Sequence, residues 1–285
     1  MSKKILRILG ISTLSTAAVS VILRFLGISF FYDTTIGYYH SNAIVPFIAQ
    51  LLPLVFTACL AVVLIIPSLR PAPCEASNHH PLNILAIFPA AGFTAYTVSY
   101  FIAIYEAMQF GLTLSLLDIV SVIATVCSAA FFWIIFAGKT GSLLYVATGT
   151  ALIIRMVFML AQCYFDTQVQ MNAPNKTVFM FAVLSVMLLV VNELRIGETV
   201  KKPLFHLFSA SVAVIFTTVS AIPSIIGYFS GNMPLNYNIV FYDITLLFFA
   251  VFAVARLCQL CFGCKCDNIA DPTPSVDDDT IPTEE

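Results

Sequence analysis

Charge is what this chain lacks most. Only 10% of its 285 residues are Asp, Glu, Lys or Arg, against about 25% in a soluble domain. So few charges could not cover a globule with water-compatible surface, which excludes a soluble protein. The 13 Lys and Arg residues form no basic run or face, so a nucleic-acid partner is excluded as well. Motifs for covalent chemistry are also missing. Neither His-Glu-x-x-His nor Gly-x-Ser-x-Gly occurs. Gly138-Lys139-Thr140 ends like a phosphate-binding loop but lacks the upstream glycine. These gaps point away from an enzyme, and nothing calls for a cofactor.

Apolar sequence is abundant. The chain is 60% hydrophobic, with a mean hydropathy of +0.95. The apolar residues gather near 5–30, 43–69, 83–105, 112–137, 142–164, 177–194, 204–228 and 239–262. Each run approaches the roughly twenty residues that cross about 30 Å of hydrocarbon as a helix. They predict an all-α, polytopic transmembrane bundle of about eight helices over residues 1–266, with the lipid bilayer as its solvent. The first run follows Lys3-Lys4 as a signal peptide would. It continues past Arg24 to Phe31 without a small-x-small cleavage site, and so reads as a retained span. Pro46, Pro53 and Pro67 interrupt the second run and predict a kink.

Loop charges orient the bundle. A cytoplasmic N-terminus places Lys3, Lys4, Arg7, Arg70, Lys139, Arg195, Lys201, Lys202, Arg256 and Lys265 inside, and only Lys176 outside. The positive-inside rule favours this arrangement, with both termini cytoplasmic and the protein in the cell membrane. The connections are short and leave no room for a separate ectodomain. After Cys266 the composition turns acidic, Pro-containing and nearly free of hydrophobes. Residues 267–285 are therefore expected to form a disordered cytoplasmic tail, serving as a solubilising end or as a dock for a protein partner.

Five charges fall inside or at the ends of the spans: Arg24, Glu106, Asp118, Arg155 and Asp243. All five lie in the outer half. Arg155 is the deepest, and an arginine near a helix centre costs about 2.5–3.5 kcal/mol on insertion scales, so it should face protein or water. Polar residues recur at helical steps beside these charges. Gly111, Ser115, Asp118, Ser121, Thr125 and Ser128 line one stripe, and Thr13, Thr16, Ser20 and Arg24 another. Thr148, Arg155 and Gln162 share a face, as do Pro46, Gln50, Pro53 and Thr57. Tyr96 and Tyr100 stand one turn apart.

One reading is an outward-facing polar pocket in a transporter-like or ligand-binding protein. Arg24 and Arg155 would engage a small solute, anionic if it complements them, while Asp118, Asp243 and Glu106 pair with them at rest. The other reading is a non-catalytic structural or sensory subunit in which the same charges lock helices together. Asp118 is the expected partner of Arg155, because a tight turn joins the two helices antiparallel. A fainter pattern matches Arg24 with Arg155 and Asp118-Ile119 with Asp243-Ile244, as a four-plus-four duplication would.

The remaining signals are local. Cys258-x-x-Cys261-x-x-Cys264-x-Cys266 reads first as reduced thiols, then as acylation sites, and last as a metal site. Cys59, Cys127 and Cys163 read as small buried hydrophobes. His79-His80, near Cys74 and Glu75, reads as a solvated loop. Asn175-Lys176-Thr177 is a glycosylation triplet set too close to a span to be reached. A reporter active only outside the cell, fused after Glu285, should be silent. Activity there would overturn the orientation and every depth assignment.

Overall fold

The computed structural model describes residues 3–33, 38–40, 44–66, 83–111, 113, 116–165, 173–196, 203–233 and 237–262. The acidic tail, Cys264, Cys266, His79-His80, Ser115, Pro67 and the loop bearing Lys201 and Lys202 lie outside these residues.

Eight helices long and apolar enough to cross a membrane occur among the described residues, as a multi-pass membrane protein requires. They are α1 (Lys3–Phe31), α2 (Ile44–Ile65), α3 (Ile87–Gln109), α4 (Leu116–Phe136), α5 (Leu143–Phe165), α6 (Pro174–Ile196), α7 (Pro203–Phe229) and α8 (Tyr237–Phe262). A 3₁₀ turn, Ile84–Ala86, leads into α3. The two short strands β1 (Tyr32–Asp33) and β2 (Tyr38–Tyr39) pair antiparallel just beyond α1, Tyr32 opposite Tyr39.

Local chemistry explains several of the helix ends. Pro174 and Pro203 open α6 and α7 at the first helical position, where the missing N–H is no loss. The turn from α4 to α5 is tight because Gly138 takes φ 71°. Its N–H donates to the Ile135 carbonyl at 3.0 Å, and the Lys139 N–H to Ile134 at 3.1 Å. That pair of bonds closes a helix by the Schellman arrangement, which needs a residue tolerant of positive φ. In α2 the expected interruption narrows to Pro53, which lies inside the helix. Pro46 falls in the first turn, where no intrahelical acceptor is lost.

The helices are not arranged as four plus four. Helices α3 to α8 form a closed ring in chain order, each packed on the next and α8 packed back on α3. Outside the ring, α1 lies on α7 and α8, and α2 lies on α1 and α7. Helix α7 thus stands between the ring and the outer pair. Helix α2 is the most peripheral, turning Phe47, Ile48, Leu51, Leu54, Val55 and Val62 outward as lipid-suited surface. Close approach of α3 and α8 depends on Gly92, where an added Cβ would lie 3.1 Å from the Thr245 Cα. Thr245 Oγ1 uses that proximity to donate to the Gly92 carbonyl at 3.0 Å.

The ring is filled, not hollow, at mid-depth. Phe132 is wholly buried and meets Phe93, Phe131, Phe249 and Phe252 with ring centroids 5.1 to 5.9 Å apart. Leu152 and Met156 of α5 complete the layer. Aromatic pairs in these offset and edge geometries add about 0.5–1.5 kcal/mol each beyond their buried area.

The thiols at the inner end of α8 are partly explained by packing. Cys261 is buried against α1, its Sγ 2.6 Å from where a Cβ on Gly10 would stand and 3.3 Å from the Leu6 carbonyl to which it donates. Cys258 is half-buried.

Candidate functional site: three buried arginines

Arg155 projects from α5 into the ring and is 1% exposed. Its Nη1 donates to Ser121 Oγ of α4 at 2.9 Å, and its Nη2 to the Tyr96 hydroxyl of α3 at 2.7 Å. The guanidinium carbon lies 5.7 Å from the Tyr96 ring centroid and 5.3 Å from that of Tyr100. A desolvated cation over aromatic rings in this way gains about 2 kcal/mol. Tyr96 in turn meets Tyr242 of α8, centroids 5.3 Å apart, and Tyr242 donates to Met156 Sδ. Among the described residues, Arg155 Nε meets no acceptor.

On α4, Arg155 donates to Ser121, one turn deeper than the expected partner Asp118 and about 4.5 Å further along the axis at 1.5 Å per residue. The guanidinium reaches that hydroxyl without extending outward. Asp118 is half-buried in the first turn of α4 and has a contact of its own. Ser121, Thr125 and Ser128 are buried as the stripe predicted. Thr125 and Ser128 turn back to carbonyls of their own helix, at 2.7 Å each. Thr148 is buried on the Arg155 face, whereas Gln162 is exposed near the end of α5.

Arg24 is also buried, at 2% exposure, but its surroundings differ. Its Nη1 donates to the Val219 carbonyl of α7. That carbonyl is available because Pro223, four residues on, has no N–H to bond it. Nη2 donates to Asn175 Oδ1 of α6 at 3.0 Å, and the Tyr39 hydroxyl of the hairpin also accepts a bond from the guanidinium. Asp243 of α8 is wholly enclosed, accepts a bond from the Tyr228 hydroxyl and feels the charge of Arg24. The expected pairing of Asp243 with an arginine is not among the ion pairs of the described residues, and Arg24 acts on it through its charge alone. Outside the spans, burial holds the phenols of Tyr32 and Tyr39 above their ordinary 10.0. Both phenols stay uncharged through neutral pH. Stability from their burial is present below pH 10 and lost as pH rises through the raised values.

Of the remaining predicted residues, Glu106 is exposed in the last turn of α3. The structure thus divides the five charges. Arg24 and Asp243 are buried near enough for the one to act on the other through its charge, Arg155 sits within the ring, Asp118 is half-buried at the start of α4, and Glu106 is exposed. The two arginines that a duplication would match occupy unlike places, since α1 flanks the ring and α5 belongs to it.

A third arginine was hidden by its position near a helix end. Arg256 read as a cytoplasmic loop charge, yet it is 9% exposed. Its Nε lies 3.0 Å from Glu193 Oε1 of α6, and His206 Nε2 of α7 is 3.6 Å from the same oxygen. Arg256 Nη1 donates to Asn83 and Gln259 at 3.2 and 3.0 Å, and its Cζ is 4.9 Å from the Phe252 ring centroid. Asn192 Nδ2 is 2.6 Å from His206 Nδ1 and donates to Ser209 Oγ at 3.0 Å. One signal was available in the sequence. Asn192-Glu193 directly follows the apolar run 187–191 and so stands within reach of the buried part of α6. Among the described residues, no group of three or more His, Cys, Asp or Glu could hold a metal ion.

Comparison with protein families, curated proteins and solved structures gave no match. The chemistry of the site therefore rests on its own geometry. That geometry makes a direct prediction for Arg24. Arg24→Gln and Asp243→Asn should each destabilise the protein in detergent, by about 3–5 kcal/mol where a lone buried charge is left. The double variant should lose less than the sum, by about 0.5–3 kcal/mol. Additive losses would show that the two charges do not sense each other.

Proposed function

We propose that this chain is a solute-binding or transport protein of the cell membrane, and that Arg155 receives a small anion. One observation carries the reading. Arg155 is a buried cation whose hydrogen bonds go to neutral hydroxyls, and its Nε has no acceptor among the described residues. The two groups that take its hydrogen bonds, Ser121 and Tyr96, bring it no negative charge. A full charge in such a place is costly unless a counter-charge joins it. An anion meeting Nε would supply both the missing bond and the missing charge. Tyr96 and Tyr100 favour a planar or compact ligand, one that lies against rings without displacing the hydroxyl that orients Nη2.

Depth supports passage of a solute. On α8, Asp243 and Tyr242 lie on the outer side, Phe249 and Phe252 at mid-depth, and Arg256 toward the inner end. A dry aromatic layer between polar layers is what a closed transporter needs to keep ions from leaking. The proposed role is binding and passage, not catalysis.

Arg24 favours the second reading, a lock between helices. Its donors already meet Val219, Asn175 and Tyr39, and Asp243 supplies a counter-charge. We assign Arg24 and Asp243 to holding α1 on the ring, and leave Arg155 as the ligand-binding residue.

Thermal unfolding of the purified protein tests this at constant ionic strength, with sodium chloride, nitrate, acetate, succinate and phosphate as probes. One anion should stabilise the wild type, by about 2.7 kcal/mol at a hundredfold excess over Kd. Arg155→Lys keeps the charge but loses the planar fork, and should lose most of that gain. Equal stabilisation of the two proteins by every anion would overturn the assignment.

A further inference from the structure

The inner cluster of Asn192, Glu193, His206, Ser209 and Arg256 plays no part in the proposed anion site. It joins α6, α7 and α8 where α6 ends and α7 begins. Its side chains are buried, His206 at 4% and Glu193 at 6% exposure. Most buried polar groups that only pack helices are paired once. Here a single carboxylate oxygen, Glu193 Oε1, is approached by Arg256 Nε and His206 Nε2 together. Neither approach is an aligned hydrogen bond, and both Glu193 Oε1 and Arg256 Nε remain without one among the described residues.

The other side of the imidazole is tightly specified. Asn192 Nδ2 is within hydrogen-bonding distance of His206 Nδ1 and donates to Ser209 Oγ, while Ser209 Oγ donates to the His206 carbonyl at 3.0 Å. An amide nitrogen can only donate, so Nδ1 must accept. The proton of the neutral ring then sits on Nε2 and points toward Glu193. This set of bonds has a second complete setting. Rotating the Asn192 amide by half a turn puts Oδ1 where Nδ2 stood. It then accepts from a protonated Nδ1 and from the Ser209 hydroxyl, which turns away from the carbonyl. Both Asn192 contacts are kept with their direction reversed, and the Ser209 bond to the His206 carbonyl is given up in exchange.

We infer that His206 is a proton-binding site at the inner end of the bundle, with Glu193 as counter-charge and the Asn192–Ser209 pair as its readout. A proton is the ligand that fits, because it needs no cavity among side chains so closely packed. The charged groups acting on His206 among the described residues are Glu193 from α6 and Arg256 from α8. Tyr145 of α5 stands behind them, within reach of both charges. Uptake of a proton gives Nε2–H a positive charge facing Oε1, so Glu193 is shared more evenly between α7 and α8. The hold of Arg256 on α6 then weakens. The proton site stands on this geometry whether or not Arg155 binds an anion.

Full-length protein carrying ¹⁵N-labelled histidine tests the inference by its imidazole resonances. The chain has four histidines, and His206→Gln identifies the resonance that belongs to the cluster. If that variant does not fold, replacing His40, His79 and His80 together leaves His206 as the sole signal. Near pH 8 the shifts should report the Nε2–H tautomer, and acidification to about pH 5 should convert it reversibly to imidazolium. Glu193→Gln should weaken the proton affinity about tenfold or more. Finding the Nδ1–H tautomer, or a ring still neutral at the acid end with the protein folded, would overturn the proposal. So would a titration unchanged in Glu193→Gln.

Discussion

A guanidinium inside hydrocarbon cannot be neutralised by losing its proton, so the protein must bring it donors' partners and counter-charge. This fold meets that requirement three times and in three ways. Arg24 takes a backbone carbonyl that Pro223 leaves open, together with an amide, a phenol and the field of Asp243. Arg256 takes a carboxylate and two amide oxygens. Arg155 takes two hydroxyls and two ring faces, all of them neutral. Arg256 and Arg155 each keep an Nε without a hydrogen bond among the described residues, but that of Arg256 faces the Glu193 carboxylate at 3.0 Å.

The ring of α3 to α8 follows from the same economy. Polar groups that would be ruinous against lipid are turned inward, and the aromatic layer around Phe132 keeps the outer and inner polar groups apart. Pro223 ties the ring to α1, since the carbonyl it frees belongs to α7 and the donor that fills it belongs to α1. A proline in a membrane helix is usually regarded as a kink. Here it also creates the acceptor for a buried charge.

Most of the fold was legible in the sequence because the hydrocarbon thickness sets a length that apolar runs must match. Residues 142–164 and 239–262 were read as spans and appear as Leu143–Phe165 and Tyr237–Phe262. The stripe Ser121, Thr125, Ser128 was legible for the same reason, since helical spacing fixes which residues share a face. Partners were less legible. Asp118 looked right for Arg155 by charge and by depth, yet a hydroxyl one turn deeper on α4 accepts a hydrogen bond from the guanidinium. Tyr96, read only as one of two tyrosines a turn apart, accepts a hydrogen bond from the guanidinium. The closed ring could not be read, because spacing along one helix says nothing of which distant helix it meets. Arg256 and Glu193 escaped because charges near a helix end resemble loop charges until the packing of three helices buries them.

The central claim is that Arg155 keeps an open donor for a solute anion and does not spend it on the protein. An experimental structure of the protein, prepared with whichever anion raises its unfolding temperature most, measures this directly at one atom. The account predicts density for that anion within hydrogen-bonding distance of Arg155 Nε, with Ser121 and Tyr96 still bound to Nη1 and Nη2. The carboxylate of Asp118 on Nε in place of the anion would contradict it.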